Sequence, residues 1–278
     1  MGRLSDVSED ICSAWYTVYE NINSLSIISR KGNDLLLTER MTTQVEQWTA
    51  LNDRRVIFLA CYQRMTDHML AGVAGGEFHD PDWVSQLIND FADYYFTALQ
   101  SWDQGASGPL VWQYTFACAA NQNMSVVQHL LLGVNAHINC DLVLVLDDLL
   151  RPEWPTLSPT QRDQRHHDYL TVNRVIQRTI DRVQDEVIGP YSKMLQLVDV
   201  ACGPLDEWCT ARLIRNWRDD VWQQAMTLIR LSDNEERKIM RQRVDQRALD
   251  RAHLLSGNVR AMRSFGYPLR WLKRLRLL

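Results

Sequence analysis

Residues 124–150 read MSVVQHLLLGVNAHINCDLVLVLDDLL, and this stretch decides the fold. Apolar side chains would cover nearly every side of a helix with about 3.6 residues per turn, which is typical of a helix at the centre of a bundle. An unpaired buried polar group costs about 1–3 kcal/mol, so the polar members are expected to find partners inside the bundle. Up to residue 141 they are Gln128, His129, Asn135, His137, Asn139 and Asp141.

Helical periodicity also dominates the rest of the chain. Only 12 Gly and 8 Pro occur in 278 residues, and alternating strand patterns are almost absent. We predict a single all-α domain over residues 1–278, a bundle of about ten helices around the central buried one. These helices are placed near 7–28, 38–50, 53–71, 81–101, 109–119, 124–150, 158–187, 190–200, 205–231 and 233–255.

The composition excludes several classes of protein. The formal net charge is −4, whereas phosphate recognition normally leaves a basic surface, so no nucleic-acid partner is expected. The six cysteines form no CxxC pair, which favours a reducing compartment. The first residues, MGRLSDVSEDICSAWY, lack the pattern of a secretory signal, and no segment has about 18 uninterrupted apolar residues. We therefore expect a soluble, cytoplasmic protein.

The part of the chain after residue 232 has a different character. Residues 233–253 are so polar that a peripheral, exposed helix is predicted there, supported by charge pairs four residues apart. The terminal segment RSFGYPLRWLKRLRLL combines basic residues with Leu and Trp, so it could lie on an anionic membrane or pack on its own bundle. No stable membrane anchoring is predicted, and no oligomeric state is indicated.

His137 and Asp141 are the central chemical feature of the sequence. Residues four apart on a helix lie within about 40° of each other, so the two side chains share a face. They could bind a divalent metal, with His129 and carboxylates from other helices completing the shell. Imidazole nitrogen and carboxylate oxygen suit zinc, iron or manganese. A hydrogen-bonded pair that stabilises the core, or an acid–base pair, is the alternative.

Other polar residues have weaker patterns. Asn135 and Asn139 share a second face with Gln128, and structural hydrogen bonding explains this amide stripe. Carboxylates that could join a metal site are Asp67, Asp93 and Asp168, each of which could equally lie on the surface. His166 and His167 follow Arg165 near a helix start, and both are predicted to be solvated.

The string LLLGVNAHINCDL, preceded by Gln128, resembles the Asn-Ala-His-Ile-Asn-x-Asp-Leu signature of the uncharacterised family catalogued as domain of unknown function 5995. Four further segments fit in order: FLACYQRMTDHM at 58–69, EFHDPDWVSQLINDFADYYFTAL at 77–99, PLVW at 109–112 and HDYLTVNRVI at 167–176. The similarity covers residues 55–225, roughly. It implies an all-helical domain, and it marks Asn135, His137, Asn139 and Asp141 as the motif positions, so we expect these four residues at the catalytic site.

A second constellation lies at the end of the central helix. DDLLRPE, with Asp147 and Asp148, is similar to the aspartate-rich motif of class I terpene synthases, which hold magnesium against a prenyl diphosphate. The second motif of that family is represented only by Asn216 and Asp220 in RNWRDDVWQQA, which ends in Gln224. A double Asp before a Pro is otherwise typical of a charged helix end.

These patterns lead to one expectation and two alternatives. We expect an enzyme that transforms a hydrophobic small molecule in a buried pocket lined by apolar and aromatic side chains, with His137 and Asp141 as metal ligands or as an acid–base pair. One alternative is a magnesium-dependent cyclase that uses Asp147 and Asp148. The other is a helical binding or scaffold protein without catalysis. Motifs for a serine nucleophile, a phosphate loop or a dinucleotide are absent.

Overall fold

The computed structural model describes residues 32–183 and 205–257, and within them it contains eight helices and no strand. The central helix α5 consists of an α-helical part Val126–Ala136, a π-helical segment His137–Asp141 and a second α-helical part Leu142–Glu153. The helices are α1 (32–50), α2 (Val56–Ala74), α3 (Pro81–Asp103), α4 (Leu110–Ala119), α5 (Val126–Glu153), α6 (Pro159–Val183), α7 (Leu205–Arg230) and α8 (Asn234–Ser256).

The all-α prediction is confirmed, and eight predicted helices correspond to observed ones. The predicted helices near 7–28 and 190–200, and the basic terminal segment, lie outside the described residues. The central helix continues past its predicted end at residue 150, through Pro152 to Glu153. Proline is tolerated here because it lies in the last turn, where its missing N–H removes a single helical hydrogen bond.

Side-chain caps fix where the two site-bearing helices begin. The Asp80 carboxylate accepts the backbone N–H of Trp83, and Pro81 occupies the first turn of α3. At the start of α5, the Ser125 hydroxyl accepts the N–H of Gln128, and the Gln128 side chain accepts the N–H of Ser125. This reciprocal capping box satisfies two donors that the first helical turn leaves free.

Helix α5 lies in the middle of the bundle. It contacts α2, α3, α4, α7 and α8, and its residues Leu132, Ala136, Val143 and Leu146 are fully buried. By length and composition alone, α5 is the one helix in the described ranges that could cross a membrane, and 72% of its apolar window is buried inside the fold. Packing against its neighbours therefore accounts for its apolar character.

Helix α8 differs from the exposed peripheral helix that the sequence predicts. Val244, Ala248, Ala252 and Leu255 are buried, and the helix packs on α4 and α5. The Asp245 carboxylate accepts the first two backbone N–H groups of α4, those of Leu110 and Val111. This buried face is difficult to predict from the sequence because two of the four buried residues are alanines. They form only a weak apolar stripe among many charged residues.

One glycine allows α2 and α5 to pack closely. A Cβ placed on Gly133 would lie 2.3 Å from Cγ of Phe58, a distance that real side chains do not tolerate. The Phe58 ring therefore occupies the space beside the α5 backbone where another residue would carry its side chain. This close approach brings Phe58 to within 5.6 Å of the His137 ring, measured between ring centroids.

Candidate functional site

The candidate site is the π-helical segment His137–Asp141, which reads HINCD. The N–H of Leu142 donates to the carbonyl oxygen of His137, which closes the wide turn of five residues. All five side chains of the segment are buried, and Asp141 and Cys140 are completely inaccessible. Single π turns inside α-helices occur frequently at functional sites, because the extra residue changes the direction of the side chains around it.

Three side chains in this region form a hydrogen-bonded chain. Nδ1 of His137 lies 2.9 Å from Oδ2 of Asp141, and both residues belong to α5. The indole N–H of Trp112, on α4, donates to both oxygens of the same carboxyl group, at 3.0 Å to Oδ1 and 2.9 Å to Oδ2. Asp141 therefore orients the imidazole and is itself held in place by Trp112.

The imidazole of His137 lies inside a group of aromatic rings that we name the aromatic box. Phe91 stacks flat on the imidazole, with 3.5 Å between centroids and 10° between planes, and Tyr62 meets it edge to face at 4.2 Å. The Phe91 side chain is half-buried, whereas the other members are buried, so Phe91 separates the imidazole from the protein surface. The aromatic box consists of Phe58, Tyr62, Phe91, Tyr95 and Trp112.

Burial decides the protonation of the pair. Desolvation holds the pKa of His137 well below its ordinary value and raises the pKa of Asp141 well above its ordinary value, although the Trp112 hydrogen bond acts in the opposite direction on Asp141. Both shifts favour the uncharged forms, a protonated carboxyl on Asp141 and a neutral imidazole on His137. When Asp141 is protonated and the imidazole is neutral, the carboxyl group donates to Nδ1 and the ring hydrogen lies on Nε2.

Nε2 of His137 has no hydrogen-bond partner among the described residues, although it is fully buried. Buried polar atoms in native proteins are nearly always satisfied, and an exception indicates a bound water, ion or ligand, or a catalytic role. The geometry thus provides a ring nitrogen of fixed direction, surrounded by aromatic carbon, for which the described residues offer no hydrogen-bond partner.

The structure does not assemble the predicted ligand set of His129, His137 and Asp141. His129 precedes His137 by eight residues, which is roughly 12 Å along a helix, and the three do not form a metal-binding group within the described residues. Nε2 of His129 lies 3.1 Å from a guanidinium nitrogen of Arg54, so its lone pair is already engaged. Burial and the Arg54 charge both lower the pKa of His129.

Asn135 and Asn139 form a separate structural link. The Asn135 amide donates to the carbonyl oxygen of Ala248 on α8 at 2.8 Å and accepts from the amide of Asn139 at 3.2 Å. Gln128 likewise donates to the backbone of α8 at Leu255. These amides hold α5 against α8, and the catalytic role expected for Asn135 and Asn139 stays a prediction. Their hydrogen bonds do not lead to His137.

Asp147 and Asp148, the two aspartates of the cyclase alternative, accept hydrogen bonds from arginine side chains. Asp147 is completely buried and accepts from Arg151, Arg237 and Arg241, all within 3.2 Å. Burial raises the pKa of Asp148, but hydrogen bonds from Arg241 and Tyr94 outweigh this and hold it below its ordinary value. Magnesium would have to displace these guanidinium groups. The residues of the predicted second motif, Asn216 and Asp220, are half-buried on α7, and each already has an interaction partner.

An open groove of about 500 Å³ lies on the other side of the π-helical segment. Cys140 and Leu144 form its floor, and Arg237, Lys238 and Arg241 of α8 form a charged wall. His137 is not among its lining residues. The groove is therefore different from the pocket with apolar and aromatic walls that the sequence predicts beside His137.

Two residues in direct contact with the His137–Asp141 pair are not identified from the sequence. Trp112 and Phe91 both lie in segments that resemble the family, but nothing in those segments marks either residue as a contact of His137. The segment PLVW at 109–112 contains the first, and the second lies four residues before Tyr95 on α3. Only the spatial arrangement of α3, α4 and α5 brings these side chains to the imidazole.

A family model described as a family of unknown function, DUF5995, matches residues 36–257. This match extends beyond the 55–225 region of the sequence resemblance at both ends, and it includes α8. Among curated proteins and solved structures, none matches the chain. Because the family model covers more than half of the 278 residues, the chain belongs to the DUF5995 family.

Proposed function

We propose that the chain is an enzyme that acts on a hydrophobic small molecule and uses His137 as a proton donor to an oxygen atom of that molecule. One observation carries the proposal: Nε2 of His137 is buried without a partner among the described residues, while Nδ1 is fixed by Asp141. A carbonyl, hydroxyl or ester oxygen would supply the acceptor that Nε2 lacks.

The hydrogen-bonded chain supports proton transfer without creating a buried imidazolium. As Nε2 gives its proton to the substrate oxygen, the proton of Asp141 moves to Nδ1, and the imidazole stays neutral throughout. The negative charge then resides on the Asp141 carboxylate. The indole N–H of Trp112 already donates to both of its oxygens and stabilises that charge. One proton leaves the pair, and one is delivered to the substrate.

The aromatic box determines the kind of substrate. Phe58, Tyr62 and Tyr95 present carbon surface to the imidazole. These surroundings suit an apolar molecule, which has few polar groups that would lose their hydrogen bonds to water on binding. Phe91 occupies the stacking position on the imidazole and is the half-buried member of the box. Rotation of this ring would open the imidazole to an incoming molecule.

A divalent metal bound by Nε2 is the second candidate. Metal-binding histidines usually donate their other ring N–H to a carboxylate, and Asp141 stands in that position relative to His137. Zinc, iron or manganese would suit the nitrogen ligand. In this arrangement Asp141 orients the ligand and does not itself bind the metal.

The test uses the full chain and the His137→Phe variant, which fills the box with a ring that cannot donate. A panel of uncharged hydrophobic ketones, esters and alcohols is screened by the ¹⁵N shift of Nε2 and by product analysis. We expect at least one compound to shift Nε2 and to be turned over by the wild type but not by the variant.

The exposed His253 provides the control variant, His253→Phe, which should behave as wild type. Elemental analysis of protein purified without chelator distinguishes the metal candidate, which requires stoichiometric metal that His137→Phe loses. Turnover that survives in folded His137→Phe would overturn the proposal, and so would a panel that leaves the Nε2 shift unchanged.

A further inference from the structure

His79, His167 and Asp168 form a second cluster of groups that bind metals, outside the site of His137. One ligand atom from each lies within 4.8 Å of the others. His79 lies in the connection between α2 and α3, and the other two lie on α6. In the ranges 32–183 and 205–257, this is the one group of three His, Cys, Asp or Glu with such spacing.

The carboxylate of Asp168 is built into the fold. Its exposed fraction is 0%, and it accepts the backbone N–H of His79 at 2.8 Å and that of Asp80 at 2.9 Å. Each oxygen retains lone pairs after these hydrogen bonds, so it can still bind a cation. The backbone amide of His79 and the Asp168 carboxylate are thus joined directly, which places the His79 side chain beside this carboxylate.

The two imidazoles stand beside this carboxylate at the surface. Their ring centroids are 4.6 Å apart and their planes are inclined by 66°. Both rings are exposed, and neither makes a hydrogen bond to any residue that the structure describes. Their nitrogens can turn toward a common point by side-chain rotation alone, because their exposure leaves them room to rotate.

The surrounding charges favour a cation. Arg165, two residues before His167, pairs with Asp80 at 2.7 Å and with Glu153 at 3.0 Å, so its charge is compensated. Asp168 then adds an anion that no arginine pairs with in the described structure. The adjacent His166 stacks on Trp222 at 4.6 Å and is thereby held away from the cluster.

We propose that His79, His167 and Asp168 bind a divalent transition metal of the zinc class. Two imidazole nitrogens and one carboxylate oxygen are ligands that zinc accepts, and exposure of both rings leaves the remaining coordination position to water. The ion joins the connection between α2 and α3 to α6. This site does not depend on the function proposed for His137, and it uses none of the same residues.

The test measures zinc binding to the full chain by calorimetry and by the visible absorption of cobalt as a substitute ion. We expect stoichiometric binding by the wild type, and affinity at least tenfold lower in His79→Gln and in His167→Gln. Cobalt should give the absorption of a nitrogen- and oxygen-bound ion, and either substitution should abolish it. Because both rings are exposed, neither substitution should disturb folding.

The controls are His253→Gln, at an exposed position outside the cluster, and His137→Phe, at the other site. Both should bind zinc as the wild type does. Binding that is unchanged in His79→Gln and His167→Gln, or absent from the wild type, overturns the proposal. Binding lost only in His137→Phe would also overturn it and would place the ion at the buried imidazole.

Discussion

Trp112 donates its single indole N–H to both carboxylate oxygens of Asp141, at 3.0 and 2.9 Å, from a position 29 residues earlier in the chain. This contact joins α4 to the π-helical segment of α5 and fixes the carboxyl group that orients His137. The site therefore depends on a residue that the central helix does not contain.

Replacement of Trp112 by Phe tests this dependence. The ring largely fills the same space, but Asp141 loses its donor in a fully buried position, and we expect a loss of about 1–3 kcal/mol in the free energy of unfolding. The control is Trp217→Phe, since the indole N–H of Trp217 is buried without a partner among the described residues. Urea denaturation of the two variants should show the larger loss for Trp112→Phe, and equal losses would contradict the prediction.

The pH dependence of stability tests the protonation of Asp141. Burial raises its pKa, so the native carboxyl keeps a proton that the unfolded chain loses above about pH 4, and the wild type loses stability as pH rises from there to the native pKa. Asp141→Asn cannot ionise. Its stability relative to wild type should therefore increase with pH, by at most about 1.4 kcal/mol per pH unit, and level off above the native pKa.

Urea denaturation of both proteins between about pH 5 and 9 provides this comparison. His137 has a pKa lowered by burial, which makes its own contribution decrease as pH falls below about 6.5, so the two proteins are compared mainly above that pH, where the imidazole is neutral in the native and the unfolded chain. The amide introduced by Asp141→Asn would donate to Nδ1, so the Nε2–H form of the ring should persist in ¹⁵N spectra. A stability difference that is independent of pH contradicts the assignment.

Phe91 controls access to the imidazole in the proposed site. Phe91→Ala should expose Nε2 and accelerate exchange of its hydrogen with solvent by at least tenfold, while the half-buried position limits the cost to less than about 3 kcal/mol. Exchange is followed by NMR under conditions where the protein stays folded. Phe96→Ala is the control, because Phe96 is buried on the same helix and packs on Tyr95. Equal acceleration in both variants would argue against a gate.

Gly133 should tolerate no side chain. In Gly133→Ala the new methyl group meets Cβ and Cγ of Phe58 at 2.6 and 2.3 Å, so α2 or the Phe58 ring must move. Overpacking of this kind costs about 1–3 kcal/mol, measurable as a lower Tm. Gly72→Ala is the matched control in a helix. A Cβ placed on Gly72 would have Cε2 of Phe78 as its nearest atom, at 3.3 Å. If the two variants were equally stable, the close approach would not matter energetically.

Local patterns in the sequence contain most of the information about the helices. The spacing of apolar residues locates α5 within a few residues of its ends, and the Ser125–Gln128 capping box begins where such a motif is expected. The His137–Asp141 hydrogen bond also follows from spacing within one helix. These features depend on residues that are near each other in the chain.

Features that depend on partners from distant segments cannot be predicted in the same way. Arg237 and Arg241, about 90 residues later in the chain, pair with the Asp147 carboxylate. The guanidinium group of Arg54, 75 residues earlier in the chain, contacts Nε2 of His129. Without those arginines, the aspartates resemble a magnesium site and the histidine resembles a metal ligand. The π turn cannot be predicted from the sequence either, because no residue type specifies it. A π turn contains one residue more than an α-helical turn, and the packing of the whole bundle determines where that residue is accommodated.

Helix α8 is synthesised roughly a hundred residues after the centre of α5, but it supplies the acceptor for Asn135, the cations for Asp147 and the cap for α4. Until α8 has been synthesised, Asn135 has water in place of the Ala248 carbonyl group as its acceptor, and Asp147 lacks Arg237 and Arg241. Only when residues 234–256 arrive can the interior close. The last described helix thus completes the hydrogen bonds of the interior.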